Sequence, residues 1–166
     1  MSYLLALVAD PAQDSTSAQL ATEAQRVAIR NNIDVVSLAE LDTLPAYSAE
    51  LDTDDGRPLI ANQLRRSTLE ADGVLLFTAE GATVPPLARS VIDWLAGPKS
   101  APTVGGKPVG VITVGPGEVI NQGLADLLRD AGADVVADGI SITGSWSDPD
   151  TLNRLGDTVV AVASAS

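Results

Sequence analysis

Five apolar, β-branched runs punctuate the chain: YLLALVA from Tyr3, IDVVSL from Ile33, GVLLFT from Gly73, VGVITV from Val109 and DVVADGISIT from Asp134. The first, third and fourth are continuous rather than alternating, the pattern of strands buried on both faces of a parallel sheet. Helical spacing fills the gaps. Leu20, Ala24, Val27 and Ala28 share one face, as do Leu87, Val91, Trp94 and Leu95. Ile120, Leu124, Leu127 and Leu128 repeat the spacing, and Leu152, Leu155, Val159 and Val162 come close to it. A weaker helix is predicted from Pro58 to Ala71, with Pro58 in its first turn. Asp148 and Pro149 read as cap and first residue of the last helix, and Gly132 as the stop of the one before it.

Five strand–helix alternations predict a single α/β domain over residues 1–166, a doubly wound sheet with helices on both faces. Ligands in such sheets bind at the carboxyl ends of the strands, near the switch point. The loops after strands one, three and four are therefore the candidate site. The longest irregular stretch, ELDTLPAYSAELDTDDG from Glu40, is too long for a plain connector and reads as a functional or interface loop.

Composition narrows the chemistry. The chain contains neither His nor Cys, which excludes a Ser-His-Asp triad, a Cys nucleophile and a Cys/His zinc site. Chemistry must then run on carboxylates, hydroxyls, backbone amides or a borrowed cofactor. The net charge of −12 repels nucleic acid and anionic lipid, so neither is an expected partner. The apolar runs are too short to cross a bilayer. The start, MSYLLALVAD, has no basic leader and no small-residue cleavage site and reads as a first strand; a cytoplasmic location is expected.

The segments LDTLPAY (Leu41 to Tyr47), ADGVLLFTAEGATVPPLARSVIDW (Ala71 to Trp94) and GKPVGVITVGPG (Gly106 to Gly117), in this order and spacing, resemble the NADPH-dependent FMN reductase family. The resemblance implies a flavodoxin-like five-stranded parallel sheet with strand order 2-1-3-4-5. It also implies FMN as cofactor, NAD(P)H as co-substrate, and a homodimer or homotetramer built near the flavin site.

Each flavin loop departs from the family pattern. The family's first loop, Gly-Ser-x-Arg-x-x-Ser-x-Asn, gathers amides, hydroxyls and an Arg round the FMN phosphate. Here it is ADPAQDSTS, Ala9 to Ser17: Ser15 matches, Ala9 replaces the Gly, Asp10 the first Ser, Ala12 the Arg and Ser17 the Asn. Ser15, Thr16 and Ser17 are the phosphate-binding candidates, at a helix start that offers amides and a positive dipole end. Asp10 and Asp14 bring negative charge, and a plain helix start with Thr16 and Gln19 as a capping box fits the same residues. The family's second loop is Thr-Pro-Glu-Tyr-Asn. Thr78 and Glu80 match it, Ala79 replaces the Pro, the loop is shorter, and Gly81 and Ala82 stand where the Tyr and Asn are lost. The resemblance implies that Thr78 to Ala82 line the flavin ring through backbone groups. A strand–helix turn with Thr83 near the helix start and Pro85 and Pro86 in its first turn explains the segment equally. The third loop offers Gly115, Pro116 and Gly117 to the ring's flank.

Outside these loops, Trp94 falls on the apolar face of its helix and is expected in the core. Tyr47 is expected either at an interface or ligand, or as core filler. Trp146 is a candidate pocket rim, and Lys107 a solvated charge at the far end of the sheet. The expected function is hydride transfer from NAD(P)H to FMN and onward to an acceptor, with no protein acid or base nominated. The alternative is a non-enzymatic flavodoxin-like binding or assembly module that has lost FMN. A third reading places Asp10 and Glu80 at the ends of neighbouring strands as a carboxylate pair for hydrolysis.

Overall fold

The continuous apolar runs become the inner strands. In the computed structural model, which describes residues 3–10, 15–38, 40–79, 85–98, 101–115, 118–142 and 147–165 (backbone alone at 118–121 and 137–140), strands and helices alternate throughout. The order is β1 (Leu4–Val8), α1 (Thr16–Arg30), β2 (Val35–Ser37), a 3-10 turn (Leu41–Thr43), α2 (Leu59–Glu70), β3 (Gly73–Ala79), α3 (Pro86–Ala96), β4 (Pro108–Val114), α4 (Glu118–Asp130), β5 (Asp134–Ile142) and α5 (Pro149–Ala165). The sheet order is β2-β1-β3-β4-β5, as the family resemblance implies. All four pairings are parallel, with Leu4 beside both Val35 and Gly73, and Val74 beside Val109.

Side-chain alternation divides the core in two. Leu4, Ala6, Leu75, Phe77 and Ile112 face α1 and α5. Leu5, Leu7, Val74, Leu76, Val109 and Val111 face α2, α3 and α4. Trp94 and Phe77 are the largest side chains fully withdrawn from water. A large apolar side chain buried this way contributes about 1.5–3 kcal/mol. β2 is shorter than the run from Ile33 to Leu38 predicts. It is the edge strand, and Val36 and Ser37 stand exposed, so little apolar burial extends it.

The helix ends refine the sequence expectations. Asp148 and Gly132 behave as predicted: the Asp148 carbonyl accepts from Leu152 N at 3.0 Å, and Gly132 adopts φ 94° just past α4. The capping box at Thr16 and Gln19 does not form. Ser15 is the cap, one residue earlier, and its side chain accepts from Ala18 N at 3.1 Å. Pro58 and Pro85 are the capping residues of α2 and α3 rather than members of their first turns. Lys107 is not merely solvated: its Nζ donates to the carbonyls of Leu69 (3.0 Å) and Ala71, at the end of α2. A cation there satisfies carbonyls that the helix itself leaves without partners.

Candidate functional site

Three neighbouring strands, β1, β3 and β4, end side by side. Strands lie about 4.8 Å apart, so their exits span ~10 Å of the sheet's carboxyl edge. The ends are tied together. Ala9 N donates to Phe77 O at 2.7 Å, and Thr78 Oγ1 makes a long 3.4 Å bond to Ala9 O. Gly115 N donates to Ile142 O at 2.6 Å. Gly115 holds φ 103°, a conformation that a side chain disfavours, so the turn out of β4 needs glycine there.

This edge carries the expected site residues that the structure describes. Ser15, Thr16 and Ser17 open α1, Thr78 and Ala79 end β3, and Gly115 leaves β4. Thr78 is fully buried, with its hydroxyl turned to the Ala9 carbonyl. Glu80, Gly81, Ala82, Pro116 and Gly117 lie outside the described residues, as do Ala12, Asp14, Thr83 and Trp146. The Asp10–Glu80 pair is therefore undescribed. Among the described residues no group of three or more acidic side chains is arranged to hold a metal ion.

Ser17 is the unusual member. It is 1% exposed, and its Oγ has no hydrogen-bond partner among the described residues. Burying a hydroxyl without a partner costs about 1–3 kcal/mol. Ser15, two residues earlier, spends its oxygen on the cap. The first turn of α1 thus combines amides that lack intrahelical acceptors with a buried hydroxyl that lacks a partner. Such a combination fits an anionic, oxygen-rich group such as a phosphate. The charges fit it less well: no Lys or Arg occurs from Ala9 to Ser17, while Asp10 and Asp14 do.

A second polar cluster, not anticipated as a unit from the sequence, holds the long loop after β2 onto α2 and α3. Asp52 accepts from Arg65 Nη1 at 2.8 Å and Nη2 at 2.9 Å, from Arg57 Nε at 2.8 Å, and from the Tyr47 hydroxyl at 3.1 Å. Arg65 Nε donates to the Trp94 carbonyl at 2.9 Å, and its guanidinium carbon lies 5.3 Å from the centroid of the Trp94 ring. Trp94 Nε1 donates to Pro45 O at 2.9 Å, and Tyr47 packs edge-on against the Trp94 ring with centroids 4.9 Å apart. Gly97 lets this cluster close, because a Cβ there would lie 2.6 Å from Arg65 Nη2. The Arg65 guanidinium holds the Asp52 carboxyl well below the usual carboxylate range, and Arg57 and Tyr47 add to the effect against the cost of burial. Burial, followed by the bond to Asp52, pushes the Tyr47 hydroxyl up. Tyr47 is therefore an exposed loop residue that lays its ring edge-on against Trp94 rather than core filler, and Trp94 is core as expected. The signal for this cluster was the loop's length together with the Tyr47–Trp94 pair. The spacing from Asp52 to Arg65 has no sequence signature.

Comparison with known proteins accords with this architecture. A family model described as NADPH-dependent FMN reductase matches residues 3–148. A 2-hydroxy-1,4-benzoquinone reductase from Burkholderia sp is 30% identical over 81 residues, which are 48% of this chain and 43% of that protein. A quinone reductase from Escherichia coli K12 is 32% identical over 79 residues, 47% of this chain and 42% of that protein. The match thus spans less than half the length of either relative. Among solved structures, a flavoenzyme NAD(P)H:(acceptor) oxidoreductase from Paracoccus denitrificans superposes with a TM-score of 0.74 at 22% identity, covering 99% of this chain and 96% of that one. An NADH:FMN oxidoreductase in its apo form gives 0.75 at 21% identity, covering 100% and 91%. At that identity the likeness establishes the flavodoxin-like fold, and the family match over most of the chain establishes the rest: the chain belongs to the NADPH-dependent FMN reductase family.

Proposed function

We propose that the chain is an NAD(P)H-dependent flavin oxidoreductase that takes FMN at the carboxyl edge of β1, β3 and β4 as a weakly held, exchangeable ligand. The family match over residues 3–148 carries this reading, and Ser17, a buried hydroxyl without a partner among the described residues, supports a ligand at the start of α1. Bound there, FMN would supply the ring that takes up hydride and passes it on. The chain's own part is binding and orientation. The amides of α1 and the hydroxyls of Ser15 to Ser17 hold the phosphate. The backbone from Thr78 to Ala82 would hold the ring, and Gly115 to Gly117 its flank. No side chain is assigned as acid or base. Asp10, Asp14 and the absence of any Lys or Arg from Ala9 to Ser17 support weak binding. Both relatives named above are quinone reductases, so a quinone is the proposed acceptor. A homodimer or homotetramer and a cytoplasmic location complete the proposal.

Titration of FMN, followed by quenching of its fluorescence, tests the reading first. A saturable change in the micromolar range is expected. NADH or NADPH oxidation in the presence of protein, FMN and benzoquinone should then exceed the protein-free rate and saturate with FMN. No saturable change at high micromolar FMN would leave the binding or assembly module as the better description.

A further inference from the structure

The charges of this chain are sorted along the direction of its strands. The segments that follow the five strands, residues 9–19, 38–56, 80–88, 115–121 and 143–152, hold twelve Asp or Glu and neither a Lys nor an Arg. Seven of the ten bases fall instead in the second half of α1, α2 or α4 or between α3 and β4, where the chain returns to the amino edge. The other three are Arg57, Arg89 and Arg154, and each is engaged. Arg57 Nε donates to Asp52 at 2.8 Å, Arg89 Nε to Asp93 at 3.2 Å, and Arg154 Nη1 to the Ser141 carbonyl at 3.2 Å. The edge proposed above to take flavin is thus the acidic end of the chain.

That sorting bears on the co-substrate. NADPH differs from NADH only by a phosphate on the 2′-oxygen of the adenosine ribose, and such a phosphomonoester carries about −1.5 to −2 charge at neutral pH. The nicotinamide and the pyrophosphate are common to both nucleotides, so they cancel in the comparison. Dinucleotide sites hold a 2′-phosphate with an arginine, and a free 2′-hydroxyl with a carboxylate. Hydride transfer needs the nicotinamide to meet the flavin ring, which brings the dinucleotide to this edge. The acids there offer acceptors to a ribose hydroxyl and repulsion to a phosphate.

We propose that the nicotinamide co-substrate is NADH, and that the acidic carboxyl edge rejects NADPH by charge. This rests on the flavin oxidoreductase reading and departs from the NADPH in the family's description. Steady-state oxidation of each nucleotide, with FMN and benzoquinone, tests it at two ionic strengths. At about 10 mM salt, where charges act over ~30 Å, kcat/KM for NADPH should be at least about tenfold below that for NADH. The difference should lie in KM, with kcat shared, because the 2′-phosphate is remote from the reacting ring. At about 1 M salt, where the range falls to ~3 Å, most of the gap should close. Asp42→Asn with Asp150→Asn, two exposed positions after β2 and β5, should narrow the low-salt gap by about twofold or more. Asp34→Asn with Asp134→Asn changes the net charge equally at exposed positions of the amino edge and should leave the gap as it is. Equal kcat/KM, a preference for NADPH, a gap that high salt leaves intact, or equal narrowing by the two pairs would each overturn the proposal. If either pair fails to fold, the salt dependence of the unaltered chain decides. If neither nucleotide is oxidised above the protein-free rate, the reductase reading fails, and binding followed by the nucleotides' own fluorescence decides. Tighter NADH than NADPH at low salt sustains the charge selection, and equal binding or none overturns it.

Discussion

Two polar regions of this domain are built on opposite terms. The Asp52 cluster is closed: Arg65 directs Nε, Nη1 and Nη2 to acceptors, and Asp52 receives from Arg65, Arg57 and Tyr47. The start of α1 is open: Ser17 is as deeply buried as the core yet has no partner among the described residues. A closed network rigidifies the chain and asks nothing of solvent or ligand. An open one at a helix start leaves a hydrogen bond to be made by something that arrives. The first region therefore holds the long loop in place, and the second is where FMN binding is proposed.

The largest expected effect comes from opening the closed region. Asp52→Ala leaves Arg65, whose side chain is 10% exposed, without its carboxylate, and strips a partner from Arg57 as well. Removing one member of a buried ion pair typically costs about 3–5 kcal/mol. For a domain of this size that lowers the melting temperature by on the order of 10 °C. Asp52→Leu with Arg65→Met should cost less than Asp52→Ala alone, since it leaves no unpaired charge on Arg65. A loss below ~1 kcal/mol for Asp52→Ala would place the cluster among ordinary surface pairs. The same residue sets an acid response. The folded state holds the Asp52 carboxyl below its unfolded value, so its contribution is complete above that value, about 3.9. It is lost as pH falls from there through the lower folded value. Asp52→Asn, less stable at neutral pH, should show a shallower loss on acidification below about pH 4 than the unaltered chain. Equal slopes in denaturant melts across that range would contradict the assignment.

A milder cut at the same cluster is Trp94→Phe. It keeps an aromatic ring against Tyr47 but removes the Nε1 bond to Pro45 O and part of the buried volume. The expected cost is about 1–3 kcal/mol by thermal melt, below that of Asp52→Ala. Proteolysis should then cut first within the loop from Glu40 to Gly56. First cleavage elsewhere would show that Trp94 does not hold that loop.

The two regions also differ in how far the sequence discloses them. The sheet was legible because β1, β3 and β4 are continuous apolar runs, which few other structures accommodate, and the family-like segments add the strand order. Ser15 to Ser17 and Gly115 were legible as places, because the fold puts binding loops at the carboxyl ends of these strands. That Ser15 is the cap and Ser17 the orphan was not legible: both are serines at a helix start, and only the helix phase tells an oxygen spent on Ala18 N from one turned inward. The Asp52 cluster was hidden for a different reason. Its members come from a loop, α2 and the end of α3, and tertiary packing alone brings Asp52 to Arg65 and Arg65 to Trp94. Lys107 was misjudged on the same ground, since its carbonyl partners belong to a segment 36 and 38 residues away.

The smallest expected effect is the sharpest test of the comparison. Ser17→Ala deletes a buried hydroxyl that the described structure leaves without a partner. Removing a satisfied hydroxyl destabilises a protein, but removing an unsatisfied one relieves the desolvation cost it carries. The apo protein should therefore be unchanged or more stable by up to ~1 kcal/mol in a denaturant melt. In the proposed complex the hydroxyl gains a phosphate oxygen as partner, so the same substitution should weaken FMN binding by about two- to tenfold, the range of one hydrogen bond. Opposite signs for stability and affinity are the signature of an oxygen held ready for a ligand. Thr22→Ala supplies the contrast: its hydroxyl already donates to Ala18 O at 3.2 Å on the exposed side of α1, so neither quantity should move appreciably. If Ser17→Ala destabilises the apo protein, the hydroxyl has a structural partner and the start of α1 is closed like the Asp52 cluster. If it raises stability and leaves FMN affinity untouched, the phosphate is held elsewhere along the carboxyl edge.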